Sequence, residues 1–115
     1  MGIPKKTTYR LPMDLRQTML AAVEEDYGKK GKSKWIKEAI ADLVNMDTGL
    51  ASVGLGEDYE VQDAQDVLVM DVETFQNLEA AMTMIRRQDP LFEGVQSAVI
   101  RAAIRKRLSS RNSNG

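Results

Sequence analysis

Period-two alternation opens the readable part of the chain, at Lys6-Thr7-Thr8-Tyr9-Arg10-Leu11. Alternation of this kind predicts a strand with two unlike faces. Lys6, Thr8 and Arg10 share the donor-bearing face, and Thr7, Tyr9 and Leu11 share a face that can meet a core. Pro12 then starts a helix, where a missing N–H is harmless. Leu15, Met19, Ala22 and Val23 recur at helical spacing as far as about Tyr27, and Gly28 ends the run. A second helix begins between Gly31 and Ser33, either of which suits the cap, with Trp35, Ile36, Ala39, Ile40 and Leu43 as its apolar stripe. From Asp47 to Asp63 no period holds, and Gly49, Gly54 and Gly56 punctuate scattered acids, which predicts a linker. As a flexible chain it would reach roughly 20–25 Å.

The order then recurs. Val67-Leu68-Val69-Met70 predicts a strand. Asp71 caps a helix carrying Thr74, Phe75, Leu78, Ala81, Met82 and Ile85, and Asp89-Pro90 breaks it. A last helix, from about Gly94 to Leu108, carries Val99, Ile100, Ala103 and Ile104. Ser33-Lys34-Trp35-Ile36-Lys37-Glu38-Ala39-Ile40 lies parallel in sequence to Ser97-Ala98-Val99-Ile100-Arg101-Ala102-Ala103-Ile104. The chain is therefore a diverged internal repeat. Residues 1–46 form the first unit, 47–64 an acidic linker, 65–108 the second unit and 109–115 a disordered polar tail. One strand with two helices cannot bury enough surface alone and leaves both strand edges open. Two such units remove both problems if their strands pair antiparallel and their helices share one core. The expected fold class is mainly α with one short two-stranded antiparallel β-ribbon, in the order β-α-α-linker-β-α-α.

Composition narrows the chemistry. Cysteine and histidine are absent, which excludes disulfides, thiol chemistry, the usual zinc sites and histidine acid–base catalysis. No catalytic constellation, metal or cofactor is expected, and no apolar run or leader pattern points to a membrane or to export, so a cytoplasmic protein is expected. Met1-Gly2 opens like a myristoylation site, but Lys6 occupies the position of the required Ser or Thr. Gly28-Lys29-Lys30-Gly31-Lys32-Ser33 ends like a phosphate-binding loop, yet Asp26 stands where its first glycine belongs, and a helix precedes it instead of a strand.

The net charge of −1 hides an uneven distribution. Residues 5–37 carry nine Lys or Arg against Asp14, Glu24, Glu25 and Asp26. The linker is acidic, and Arg101, Arg105, Lys106, Arg107 and Arg111 make the end basic again. Those last cations suit either phosphate contacts or the negative end of a helix.

Thr8-Tyr9-Arg10-Leu11-Pro12-Met13-Asp14-Leu15, followed by Gly31-Lys32-Ser33-Lys34-Trp35-Ile36-Lys37-Glu38-Ala39-Ile40, resembles the ribbon–helix–helix DNA-binding family, the class of the Arc and MetJ repressors. The likeness covers residues 5–45 and, more weakly, 65–108. In architecture alone the tandem arrangement resembles TraY-type accessory proteins of conjugative relaxosomes. The resemblance implies base contacts from Lys6, Thr8 and Arg10 and, in the second unit, from Gln65, Val67 and Val69. It implies phosphate contacts at the second helix of each unit, from Lys30, Gly31, Lys32, Ser33 and Lys34, with Lys29 alongside, and from Gln96 and Ser97. The expected function is sequence-specific binding of double-stranded DNA, as a transcriptional regulator or a mobile-element accessory factor. Expected partners are DNA, a second copy on an adjacent site, or another DNA-processing protein. The competing readings are a protein–protein adaptor that has lost its reading face, and an antitoxin.

Overall fold

The computed structural model describes residues 5–47 and 50–113. The Met1-Gly2 start, Gly49 of the expected linker, and Asn114 and Gly115 of the expected tail lie outside the described residues. The elements are β1 (Lys5–Leu11), α1 (Met13–Tyr27), α2 (Lys32–Met46), β2 (Ala64–Met70), α3 (Val72–Gln88) and α4 (Val95–Ser113).

β1 and β2 pair antiparallel along seven rungs, from Lys5 opposite Met70 to Leu11 opposite Ala64. Their inward faces carry Tyr9 and Leu11 from β1 and Ala64, Leu68 and Met70 from β2. Beneath them the stripes of all four helices meet in one core, with Met19, Trp35, Ile36, Ile40, Leu43, Leu78, Ile100 and Ile104 almost fully buried. Neither half owns this core, which is why a unit of roughly 45 residues needs its counterpart.

Local chemistry sets the helix ends. Asp71 accepts from the Thr74 N–H at 2.8 Å and starts α3. Gly28, at φ 82°, ends α1, a conformation that costs a side chain but not glycine. Gly31 is required for a second reason: a Cβ there would meet Tyr27 Cβ at 2.3 Å.

The order β-α-α-β-α-α is compatible with a tandem layout, but the expected fold class needs correction. It described two diverged halves joined by a free linker and paired through a short ribbon, with the second strand over Val67 to Met70. The ribbon runs seven residues on each strand, and residues 50–63 are built into the fold. Leu50 and Val53 are buried, and Asp47 accepts from the N–H groups of Ala51 and Ser52, closing a tight turn. Glu57 receives Arg101 through two bonds, 2.8 and 2.9 Å, and also pairs with Arg105. Glu60 takes Arg105 at 2.7 Å. The physical reason is charge: the acids of this segment neutralise the arginines of α4.

The expected end at Leu108 with a disordered tail is corrected too, because α4 continues to Ser113. Arg107 reaches Glu38 and Asp42, and Arg111 reaches Glu25 and Asp26, so α4 is pinned to both helices of the first half. The C-terminal arginines are thereby occupied inside the molecule. Among the described residues no helix is long and apolar enough to cross a membrane.

Candidate nucleic-acid interface

Opposite the core, the ribbon turns six side chains outward in three cross-strand pairs: Lys6 with Val69, Thr8 with Val67, and Arg10 with Gln65. All six are exposed, Val67 at 40% and Val69 at 38%. None is acidic. The three outward positions of a strand span on the order of 13 Å, about the length of four base-pair steps.

Arg10 is the most constrained of the six. Its N–H donates to Ser97 Oγ at 3.1 Å, and its carbonyl accepts from Arg101 Nη1 at 2.8 Å. Both bonds use the backbone, so α4 fixes the strand while the side chain points outward. The Arg10 Nε–H donates to the Gln62 carbonyl at 3.4 Å, a weak contact. Gln96 extends the same grip, donating to Thr7 Oγ1 at 2.6 Å and to the Thr8 carbonyl at 3.2 Å. The outer edge of β1 is therefore covered by α4 side chains, a standard protection against edge-to-edge association.

Gln96 and Ser97, expected at phosphates, are thus engaged by the ribbon. At the other flank α2 starts beside the end of β2. Ser33, Lys34 and Lys37 line a shallow cleft with Val69, Met70, Asp71 and Thr74. No side chain caps α2, so its first N–H groups keep their capacity for an external acceptor. Lys29 and Lys30 are exposed beside it, and the Lys34 ammonium lies 4.5 Å from the centre of the Tyr27 ring. Lys32 faces inward and donates to Asp66 Oδ1 at 2.6 Å.

Asp66 is the residue that sequence reasoning missed. It occupies an inward position of β2, opposite Tyr9, and is only 7% exposed. It accepts from Lys32, from Arg16 Nε at 3.2 Å and from the Val67 N–H at 2.7 Å. An acid at the inward parity of a strand must find a cation, so the pattern Ala64-Gln65-Asp66-Val67-Leu68 held the signal. Burial acts to raise the Asp66 pKa. The Lys32 and Val67 hydrogen bonds, with the charges of Lys32 and Arg16, outweigh it, and the carboxyl lies below its ordinary value. Glu57 is lowered in the same way, burial being overcome by Arg101 and Arg105. Burial, and then the charge of Asp66, push the Tyr9 phenol well above its usual value, so it stays neutral across the physiological range.

These shifts set a pH dependence. A carboxyl whose folded pKa is depressed contributes stability above its unfolded value and loses it as pH falls through the folded one. The unfolded references are 3.8 for Asp66 and 4.5 for Glu57. Urea unfolding midpoints should therefore be level near neutrality and fall once pH drops below about 4.5. Asp66→Asn should make that acid limb shallower; an unchanged limb would remove Asp66 from the account.

Among the described residues there is no group of acids, histidines or cysteines able to hold a metal ion. Comparison with protein-family profiles, with curated proteins and with solved structures finds no match.

Proposed function

We propose that this protein binds double-stranded DNA sequence-specifically, as a transcriptional regulator or an accessory factor on a mobile element in the cytoplasm. On this reading the ribbon enters the major groove, which admits a two-stranded β-ribbon, and α2 seats on a phosphate. The same proposal extends to kinship with the ribbon–helix–helix DNA binders, on the residues of the first half that resemble them.

The observation that supports this reading is the outward ribbon face. It holds Lys6, Thr8, Arg10 and Gln65 at period two and no acid, beside an uncapped helix N-terminus flanked by Lys29, Lys30 and Lys34. Lys32 is also held by Asp66, so the more exposed Lys30 and Lys34 are the cations chosen for the test.

The test is binding to a pool of duplexes at rising salt. Affinity should fall linearly on a double-logarithmic plot, and Lys30→Ala or Lys34→Ala should weaken all sequences alike and reduce the slope by about 1 each. Binding that is absent at low salt would sink the proposal. It would favour an adaptor role, for which Leu55, Tyr59 and Val61, exposed at 77%, 99% and 72%, are candidate contact side chains.

A further inference from the structure

The two ends of the ribbon are chemically different. Arg10 and Gln65 face each other across one end, and Lys6 faces Val69 across the other. In the repeat, Val69 takes the place of Arg10, Val67 that of Thr8 and Gln65 that of Lys6. An antiparallel pair of identical strands would present the same three residues in both directions along the groove. This one presents a polar pair at one end and two exposed valines from the middle to the other.

The flanking helices differ in the same sense. α4 stands at the β1 edge, and its Gln96 and Ser97 side chains hold β1. α2 stands at the β2 edge near Val69, with Lys29, Lys30 and Lys34 exposed around its start. The α2 flank keeps three exposed lysines beside Lys37, which pairs with Asp71 and Glu73, while the uncharged Gln96 and Ser97 at the start of α4 are engaged by β1.

We propose that the ribbon reads a non-palindromic duplex in a single orientation, an inference that rests on the DNA binding proposed above. Arg10 and Gln65 read adjacent purines. An arginine pairs bidentately with guanine O6 and N7, and a glutamine pairs with adenine N6 and N7. Val67 and Val69 rest on thymine 5-methyl groups, the apolar feature of the major groove that a short branched side chain fits. Burying these exposed valines against an apolar partner is favourable, and thymine methyls supply one. The cations around the start of α2 then set the orientation, by placing the stronger phosphate attraction at the Val69 end.

The test is selection of binding sites from random duplexes by the wild-type chain and by the triple variant Gln65→Lys, Val67→Thr, Val69→Arg. The variant gives β2 the same outward residues as β1. All three positions are exposed, and circular dichroism checks that the fold is kept. The wild type should select a non-palindromic site with a guanine–adenine step at one end and thymines beyond it. The variant should shift selection to a palindrome. Replacing each selected thymine by uracil, which deletes the methyl, should weaken wild-type binding about fourfold per contacted base. A palindromic wild-type site, or indifference to uracil, would overturn the asymmetric reading and leave DNA binding standing. Failure to bind any duplex at low salt would overturn both.

Discussion

Arg10→Ala is expected to weaken binding to the preferred DNA site by about 1–3 kcal/mol and to relax discrimination at one base pair. Protein stability should change by less than about 0.5 kcal/mol, the ordinary range for an exposed site. The separation follows from how Arg10 is held. Its bonds to Ser97 and Arg101 use the backbone N–H and carbonyl, which alanine retains. Only the weak Nε contact to the Gln62 carbonyl is lost inside the protein. The guanidinium, by contrast, is the one planar fork of N–H donors on the outward face. Binding isotherms on the selected site and on a scrambled duplex, alongside urea unfolding, distinguish the outcomes. Equal affinity of wild type and variant for the selected site would remove the ribbon as the reading element.

Trp35→Ala should destabilise the fold by about 3–5 kcal/mol. Domains of this size carry roughly 5–15 kcal/mol in all, so the variant should lose a large share of its stability. Trp35 is fully buried on α2. Its indole N–H donates to Asp26 Oδ2 at 2.9 Å, and the Arg107 guanidinium lies 5.3 Å from its ring centre. Asp26 also takes Arg111. The indole thus sits where α1, α2 and α4 are tied together, and its hydrogen bond is the leading cause of the lowered Asp26 pKa. Trp35→Phe keeps most of the ring volume and loses the N–H donor. It should cost about 1 kcal/mol, the net worth of one hydrogen bond. Unfolding followed by circular dichroism measures both. A loss under about 1 kcal/mol for alanine would mean that the core closes over the cavity, contrary to the cost usual for such truncations.

The outward and inward parities of both strands were legible because a strand repeats every two residues, and that period needs only local sequence. Tyr9 and Leu11 point inward, as their alternation with Lys6, Thr8 and Arg10 implies. The start of α3 was equally local, since Asp71 caps a backbone N–H three residues away. The role of Asp66 was not legible locally, because its partners Arg16 and Lys32 lie 50 and 34 residues away. Residues 47–64 read as a linker because an acid without a visible partner looks like a solvated one. Glu57 meets Arg101 only across 44 residues.

What the sequence determined by itself was periodic or adjacent: two strands, four apolar helical stripes, their order, and which side chains of each strand share a face. Tertiary structure alone decided which charges remain available. It took Arg101, Arg105, Arg107 and Arg111 for acids elsewhere in the chain, turned Lys32 toward Asp66, and used Gln96 and Ser97 to grip β1. An ion pair or edge contact depends on where two distant segments are brought by their shared core, and no local period records that distance.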